Sequence, residues 1–500
     1  MSKRPARVAI LGLGIDPASA HSRHRQLYEG IRDAILAGRL ASGTRLPSTR
    51  TLAHDVGCSR NTVMTAFEQL AAEGYLESRV GAGTTVAGPA PDIALRVAGR
   101  PAGVRPIAPG RRGLARRGRL LLRAPVHHRA PSPARPFRVG VPALDDTSRN
   151  AWARLVARWA RGMPRQLVEY GDPAGFRPLR EAIATYLGEA RGARCTADQV
   201  IVVSGSQQGI DLATRVLLDP GDEVWMEDPG YPSARAALAV GGMRVRAIPV
   251  DSEGIDVGIG AARAPHARLA YVTPSHQFPL GVTMSLTRRV ALLEWARRTG
   301  AWILEDDHSS EYRYASRPLA ALQGLDPTGC VLYLGTFSKV LFPALRLGYV
   351  VAPAHLVDAF VATRALTDRH SPSATQAVLA DFIGEGHFTR HVRRHRALYA
   401  RRQAALVAAA RRLEGRLDVG ASNAGMHVIG WLPERTDDRA IAHAAAARGV
   451  DASPLSAYRV HARGRGGLLL GYAGYSERAI REGVDRLERV LHESVGEDSE

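Results

Sequence analysis

Five hundred residues, 45% of them hydrophobic, suffice for more than one domain, and no run of about 18 apolar residues is present to span a bilayer. Cys58, Cys195 and Cys330 are far apart and odd in number, so they provide neither a disulfide framework nor metal spacing, and a cytoplasmic location fits. The net charge of +19 is uneven: residues 88–136 hold 11 basic residues and 1 acidic one, a concentration that points to an anionic partner.

The N-terminal stretch MSKRPARVAILGLGID has a short apolar patch, but Gly12, Gly14 and Asp16 interrupt it and it does not read as a signal peptide. Leu27, Ile31, Ala34 and Ile35 recur on one face of a helix. In LPSTRTLAHDVG, Ser48 is placed to N-cap a short helix that stops at Gly57. Ser59 then caps RNTVMTAFEQLAAEG. Val63, Ala66, Phe67 and Leu70 form its buried stripe, while Arg60, Asn61, Thr62 and Thr65 lie toward the helix start or the outer face. YLESRVGAGTTVA alternates around Gly81-Ala82-Gly83 and predicts a two-stranded wing. Three helices and a wing make a winged helix-turn-helix, whose second motif helix enters the major groove by its N-terminus.

The run GTRLPSTRTLAHDVGCSRNTVMTAFEQLAAEGYLESRVGAGTTV resembles the DNA-binding domain of GntR-type bacterial regulators over nearly its whole length. Leu-Pro-Ser-x-Arg, Ser-Arg-x-Thr-Val and Glu-Gly-Tyr-Leu occur in order. The resemblance implies that Arg45, Ser48, Arg50, Arg60, Asn61 and Thr62 contact double-stranded operator DNA, and that Gly81 and Gly83 let the wing backbone approach phosphate. Arginine can bind phosphate or guanine edges bidentately, and small hydroxyls at helix starts bind phosphate. This mainly α domain is expected over residues 20–88. Residues 89–136, rich in Pro, Gly and Arg, read as an extended flexible linker, either a spacer or a direct electrostatic contact with DNA.

From Phe137 onward, strand-like runs alternate with amphipathic helices, an α/β pattern. Five apolar runs end in chemistry-bearing motifs: Ile201–Val203 in SGSQQG, Val224–Met226 in EDPGYP, Leu269–Val272 in TPSHQFPLG, Trp302–Leu304 in EDDHSSEY, and Val331–Leu334 in GTFSK. In open α/β sheets ligands bind at the carboxyl ends of strands, so these loops are expected to converge. Ser206 and Gln207 begin a helix, where free N–H groups favour phosphate, and Arg346 suits the same anion. Asp306 at a strand end could keep a pyridine nitrogen protonated, and Tyr231 could stack on an aromatic ring.

The chain has 67 Lys and Arg residues but only two lysines, Lys3 and Lys339. An ε-amine can deprotonate and condense with an aldehyde, whereas a guanidinium with a pKa above about 12 cannot. That difference explains a lysine in GTFSKVLFP, where Ser338 can also offer its hydroxyl to phosphate.

Together these motifs resemble the fold-type-I aminotransferases across residues 137–495, which implies an α/β pyridoxal-phosphate-dependent transferase fold with a large and a small subdomain. The resemblance implies pyridoxal 5'-phosphate bound covalently to Lys339. Tyr170, in YGDPAGFRPLREAIATYL, would reach the partner subunit's cofactor. A GntR-like head, a linker and an aminotransferase-like body form the combination of the MocR/GabR regulators, which implies a homodimer, head against the partner's body. Three residues depart from the aminotransferase or regulator pattern. Phe278 replaces the asparagine near the cofactor's phenolic oxygen, a change that resembles other MocR-type proteins. His308 replaces a tyrosine of MocR relatives, with a charge expected to vary near neutral pH. Leu469 falls where aminotransferases carry an arginine for the substrate carboxylate, although Arg435, Arg459 or Arg463 could supply one.

Two functions follow. One is a regulator whose body senses pyridoxal phosphate or an amine or amino acid that reacts with it. The other is a working aminotransferase with a DNA-binding appendage. Phe278 and Leu469 favour the first. His370, His387 and His427 are expected to be structural or on the surface, and no metal site is expected.

Overall fold

The computed structural model describes residues 15–16, 19–79, 83–88, 113–123, 135–314, 320–461 and 464–496. The chain divides into two units, residues 1–113 and 114–500. Among the described residues no helix is long and apolar enough to cross a membrane.

In the first unit, α1 (Arg23–Leu36), α2 (Thr49–Asp55) and α3 (Arg60–Ala72) precede an antiparallel ribbon of β1 (Leu76–Arg79) and β2 (Gly83–Val86). The expected stripes are the core: Leu27, Ile31, Ala34 and Ile35 from α1 meet Val63, Ala66, Phe67 and Leu70 from α3. Each fully buried Ile, Val or Leu here contributes about 1.5–3 kcal/mol of apolar burial. Ser48 and Ser59 are the N-caps, accepting from the amides of Thr51 at 3.2 Å and Thr62 at 3.1 Å. Gly57 takes φ 68, a left-handed conformation that ends α2 cleanly.

The second unit contains a helix, Arg116–Arg123, inside the span expected to be an extended linker. The sequence RRGRLLLR is free of proline between Pro109 and Pro125, and Arg and Leu are good helix formers. Local propensity therefore overrides the Pro/Gly-rich composition of the flanks.

The body is built on an eight-stranded sheet of β3 (Val200–Val203), β4 (Glu223–Asp228), β5 (Arg244–Asp251), β6 (Gly254–Ile255), β7 (Leu269–Val272), β8 (Trp302–Asp307), β9 (Val331–Thr336) and β10 (Gly348–Val351). Their spatial order is β3-β10-β9-β8-β7-β4-β5-β6. Runs such as VIVV in β3 and LAYV in β7 are buried throughout, as central strands covered on both faces require. Helices Arg177–Arg191 and Ser373–Gly384 join the core on one face, and Ser206–Leu217 and Pro232–Gly241 the core on the other. A smaller antiparallel sheet of β11 (Asp418–Val419), β12 (His427–Trp431), β13 (Ser453–Pro454) and β14 (Gly467–Gly471) packs with helix Glu477–Gly496. The expected large and small subdomains are these two sheets with their helices.

Candidate functional site

The strands that carry the five motifs point the same way. β4, β7, β8 and β9 pair in parallel, and β10 lies antiparallel between β9 and β3. Their carboxyl ends open into one cavity of about 290 Å³, at the small end of ligand sites. Ser206, Gln207, Tyr231, Asp306, His308, Ser338, Lys339 and Arg346 all line it. Met426, His427 and Tyr458 close it from the smaller sheet's side.

One end of the cavity is built for an anion. Gly205 has φ 92, and a Cβ there would stand 3.2 Å from the Arg346 guanidinium, so glycine lets that guanidinium lie against the start of helix Ser206–Leu217. Arg346 itself has φ 50 and donates Nη2 to the Ser204 carbonyl at 3.0 Å. Helix amides and a guanidinium thus share one corner, where a phosphate gains from both. Gln207 is anchored through Nε2 to the Ser233 carbonyl at 3.1 Å.

Two adjacent aspartates end β8, and they differ. Asp307 is spent: Arg191 lies 2.8 Å from Oδ2, the Tyr333 hydroxyl donates to it at 2.7 Å, and the charge of Arg191 holds the carboxyl low against its burial. Asp306 has the Tyr271 hydroxyl on Oδ2 at 2.6 Å, while its buried Oδ1 has no partner. Burial pushes Asp306 up to about 7, with Tyr271 pulling it down and Asp307 adding to the rise. A protonated ring nitrogen facing Oδ1 would reverse that shift, because a cation restores the ionised form. The hydroxyls of Ser338 and Ser309 are likewise buried, without partners, and in the cavity wall.

In the same cavity wall, Lys339 Nζ donates to the Gly140 carbonyl at 3.1 Å. Burial, then the charge of Arg346, lowers its pKa, favouring the neutral amine that can attack a carbonyl carbon. His308 corrects the expectation of a charge varying near neutrality: burial pushes it down to about 4, more than Asp307 can offset, so the ring is neutral at pH 7.

Phe278 is the aromatic hub of the wall, meeting Tyr231, His308, His427 and Tyr458 edge to face at 5.4–5.8 Å. A buried network holds its loop. Glu227 accepts from the Thr273 amide and hydroxyl and from Gln277 Nε2, which also reaches the Phe278 carbonyl.

Several site residues escaped the sequence reading. Tyr271 sits on β7 with the same side-chain parity as Asp306 on the adjacent β8, a signal that strand register alone reveals. His427, expected to be structural or on the surface, both donates Nε2 to the Pro279 carbonyl at 2.9 Å and lines the cavity. Tyr170 lies outside the cavity, 81% exposed, with the Arg369 guanidinium 4.3 Å from its ring centre. Asp145, His391 and His395 cluster within metal-ligand distance, a grouping absent from the sequence expectation. His391 is already held between the Ser148 hydroxyl and the Val340 carbonyl, and Arg394 shares Asp145.

In the first unit, Arg45, Ser48, Arg50, Arg60, Asn61 and Gly83 are exposed and Thr62 is half-buried; Gly81 lies outside the described residues. Arg60 Nε reaches Thr49 Oγ1 at 3.4 Å, linking α3 to the start of α2. Arg45 bridges to Thr85 of the wing.

Comparison with known proteins matches residues 137–487 to the family model "Aminotransferase class I and II" and residues 23–86 to "Bacterial regulatory proteins, gntR family". The chain is 43% identical over 465 residues to the probable rhizopine catabolism regulatory protein MocR of Rhizobium meliloti, covering 93% of this chain and 92% of that one. It is 31% identical over 478 residues to the HTH-type pyridoxine biosynthesis transcriptional regulator PdxR of Corynebacterium glutamicum, covering 95% and 97%. Among solved structures, the kynurenine aminotransferase of Pyrococcus horikoshii superposes with a TM-score of 0.67 at 28% identity, covering 78% of this chain and 97% of that one.

Proposed function

The chain belongs to the MocR-type regulators, which join a gntR-family domain to an aminotransferase class I and II domain, and we propose that its body holds pyridoxal 5'-phosphate and reads an amine, an amino acid or the cofactor itself to govern binding of operator DNA. The observation that carries this reading is Asp306 Oδ1, a buried carboxylate oxygen without a partner in the wall of the cavity that Lys339 enters. An orphaned acceptor in such a place is costly unless a donor arrives.

The residues fit the group. The start of helix Ser206–Leu217, Arg346 and the Ser338 hydroxyl suit its phosphate, Asp306 its ring nitrogen, and Tyr231 a ring face. His308, neutral, can hydrogen-bond a phenolic oxygen without altering its charge. When bound, the cofactor supplies an aldehyde for Lys339 and a ring that withdraws electrons. Tyr170 would complete the partner subunit's site in a homodimer.

The alternative is a working aminotransferase. It is disfavoured because Leu469 is fully buried in an apolar cluster, a side chain unable to bind a substrate carboxylate. The names of two relatives point to different pathways, rhizopine catabolism and pyridoxine biosynthesis, so membership suggests the mode of action and leaves the target genes to experiment.

The test uses purified full-length protein and DNA from its own promoter region. Sequence-specific retardation that changes with Lys339→Ala, together with little transaminase turnover, supports the proposal. Rapid amino transfer from common amino acids to 2-oxoacids, with no sequence-specific retardation, overturns it.

A further inference from the structure

The charge lining the cavity restricts what can bind above Lys339. Among the described residues in its wall, Lys339 and Arg346 are the lysine and arginine side chains. Arg346 is committed to the anion corner, against Gly205 and the Ser204 carbonyl. The remaining basic groups are imidazoles held neutral by burial. His308 is pushed down to about 4 and His427 is lowered, as is His276 behind them, which stacks edge to face on His427 at 5.6 Å. With Nε2 donating to the Pro279 carbonyl, a neutral His427 has Nδ1 left as an acceptor, which repels a carboxylate and suits a hydroxyl or amine.

The wall behind is apolar two side chains deep. Leu469 pairs with Ile429 across β14 and β12, is fully buried, and shares a cluster with Leu455 and Tyr458. Val139 and Phe278 pack against that cluster and face the cavity themselves. No guanidinium reaches over from the described neighbours. Arg459 is turned to the carbonyls of Gly464 and Arg465 on its own loop, and Arg435 is exposed; Arg463 lies outside the described residues. Among the described residues of this subunit, a carboxylate bound here would find no counter-cation, and buried anions are tolerated only when paired.

We infer that the ligand read by this cavity is a primary amine that bears no carboxylate, its remaining polar groups being neutral ones that meet His427 Nδ1, the His308 ring and the Ser309 hydroxyl. This rests on the proposed reading that the cavity holds pyridoxal phosphate and responds to an amine.

The test compares decarboxylated pairs on cofactor-loaded, full-length protein: phenethylamine against phenylalanine, ethanolamine against serine, and tyramine against tyrosine. Binding is read by calorimetry and by the absorbance of the bound cofactor, and DNA affinity is measured in parallel. The expected result is that at least one amine binds tenfold or more tightly than its amino acid. Leu469→Arg should then narrow or invert that ratio while the cofactor is still retained. Amino acids binding as tightly as their decarboxylated partners, or no amine binding to cofactor-loaded protein, overturns the inference. The wild-type comparison stands even if Leu469→Arg fails to fold. Failure of wild type to retain cofactor at all is seen first in the absorbance and counts against the proposed function instead.

Discussion

Lys339 Nζ donates to the Gly140 carbonyl at 3.1 Å, across 199 positions of sequence, and Gly140 leaves the space that the amine occupies. A Cβ on Gly140 would lie 2.6 Å from Nζ, and its φ of 77 is strained for any other residue. Gly140→Ala is therefore expected to push the amine off its carbonyl and lower cofactor retention at least tenfold, at a stability cost of about 1–2 kcal/mol. Absorbance after gel filtration and a thermal melt check both. Full retention would show that the Gly140 contact does not position Lys339.

Asp306→Asn keeps the shape of the side chain and removes its charge. A charge-assisted hydrogen bond is worth about 1.5–3 kcal/mol, so cofactor affinity should fall roughly 10–100-fold, as read by equilibrium dialysis. The apoprotein should behave oppositely. Burial raises Asp306 to about 7, so between the unfolded carboxyl's pKa near 4 and that value the folded state binds more protons. Wild-type stability from this group is then lost as pH rises through that window, and the asparagine variant should gain relative to wild type. Melts of both apoproteins from pH 4.5 to 7.5 test the sign.

The architecture and the strand-end chemistry are legible in sequence because both are local. VIVV before SGSQQG and VLYLGT before FSK show a strand and its terminal motif within ten residues. What stays hidden depends on distant neighbours. Gly140 is not read as a site residue because its partner is far along the chain, and Tyr271 needs the β7–β8 register to be placed beside Asp306. The charge of His308 depends on burial, which tertiary packing sets, so the ordinary behaviour of a free imidazole misleads. The helix Arg116–Arg123 is missed for a different reason: the composition of a long window masks an eight-residue stretch of helix formers.

His308→Tyr tests that neutrality. With a folded pKa of about 4 against an unfolded value near 6.5, the unfolded state binds more protons between the two. The group's contribution is thus fully present above about 6.5 and is lost as pH falls toward 4. Wild type should lose about 2 kcal/mol relative to the tyrosine variant between pH 7 and pH 4.5, read from paired denaturation curves of the apoproteins. A constant difference across that range would mean that burial does not shift His308 and that the folded ring takes up its proton at the same pH as the unfolded one.

The wing glycine and Arg45 form one unit in the DNA-binding domain. Gly83 has φ 87, and a Cβ there would lie 2.9 Å from Arg45 Nε, so the guanidinium rests against the place where a side chain would be. Arg45 can swing aside, so Gly83→Ala should fold, at a backbone cost of about 1–2 kcal/mol, but with the guanidinium displaced from the wing. If Arg45 contacts a phosphate from that position, Gly83→Ala and Arg45→Ala should each weaken binding across all sequences and reduce the salt slope by about 1. The double variant should be no weaker than Arg45→Ala alone beyond the backbone cost, since the second change removes a contact already gone. Fluorescence anisotropy with promoter DNA at several salt concentrations measures all three variants. Additive losses would place Arg45 and Gly83 in independent contacts.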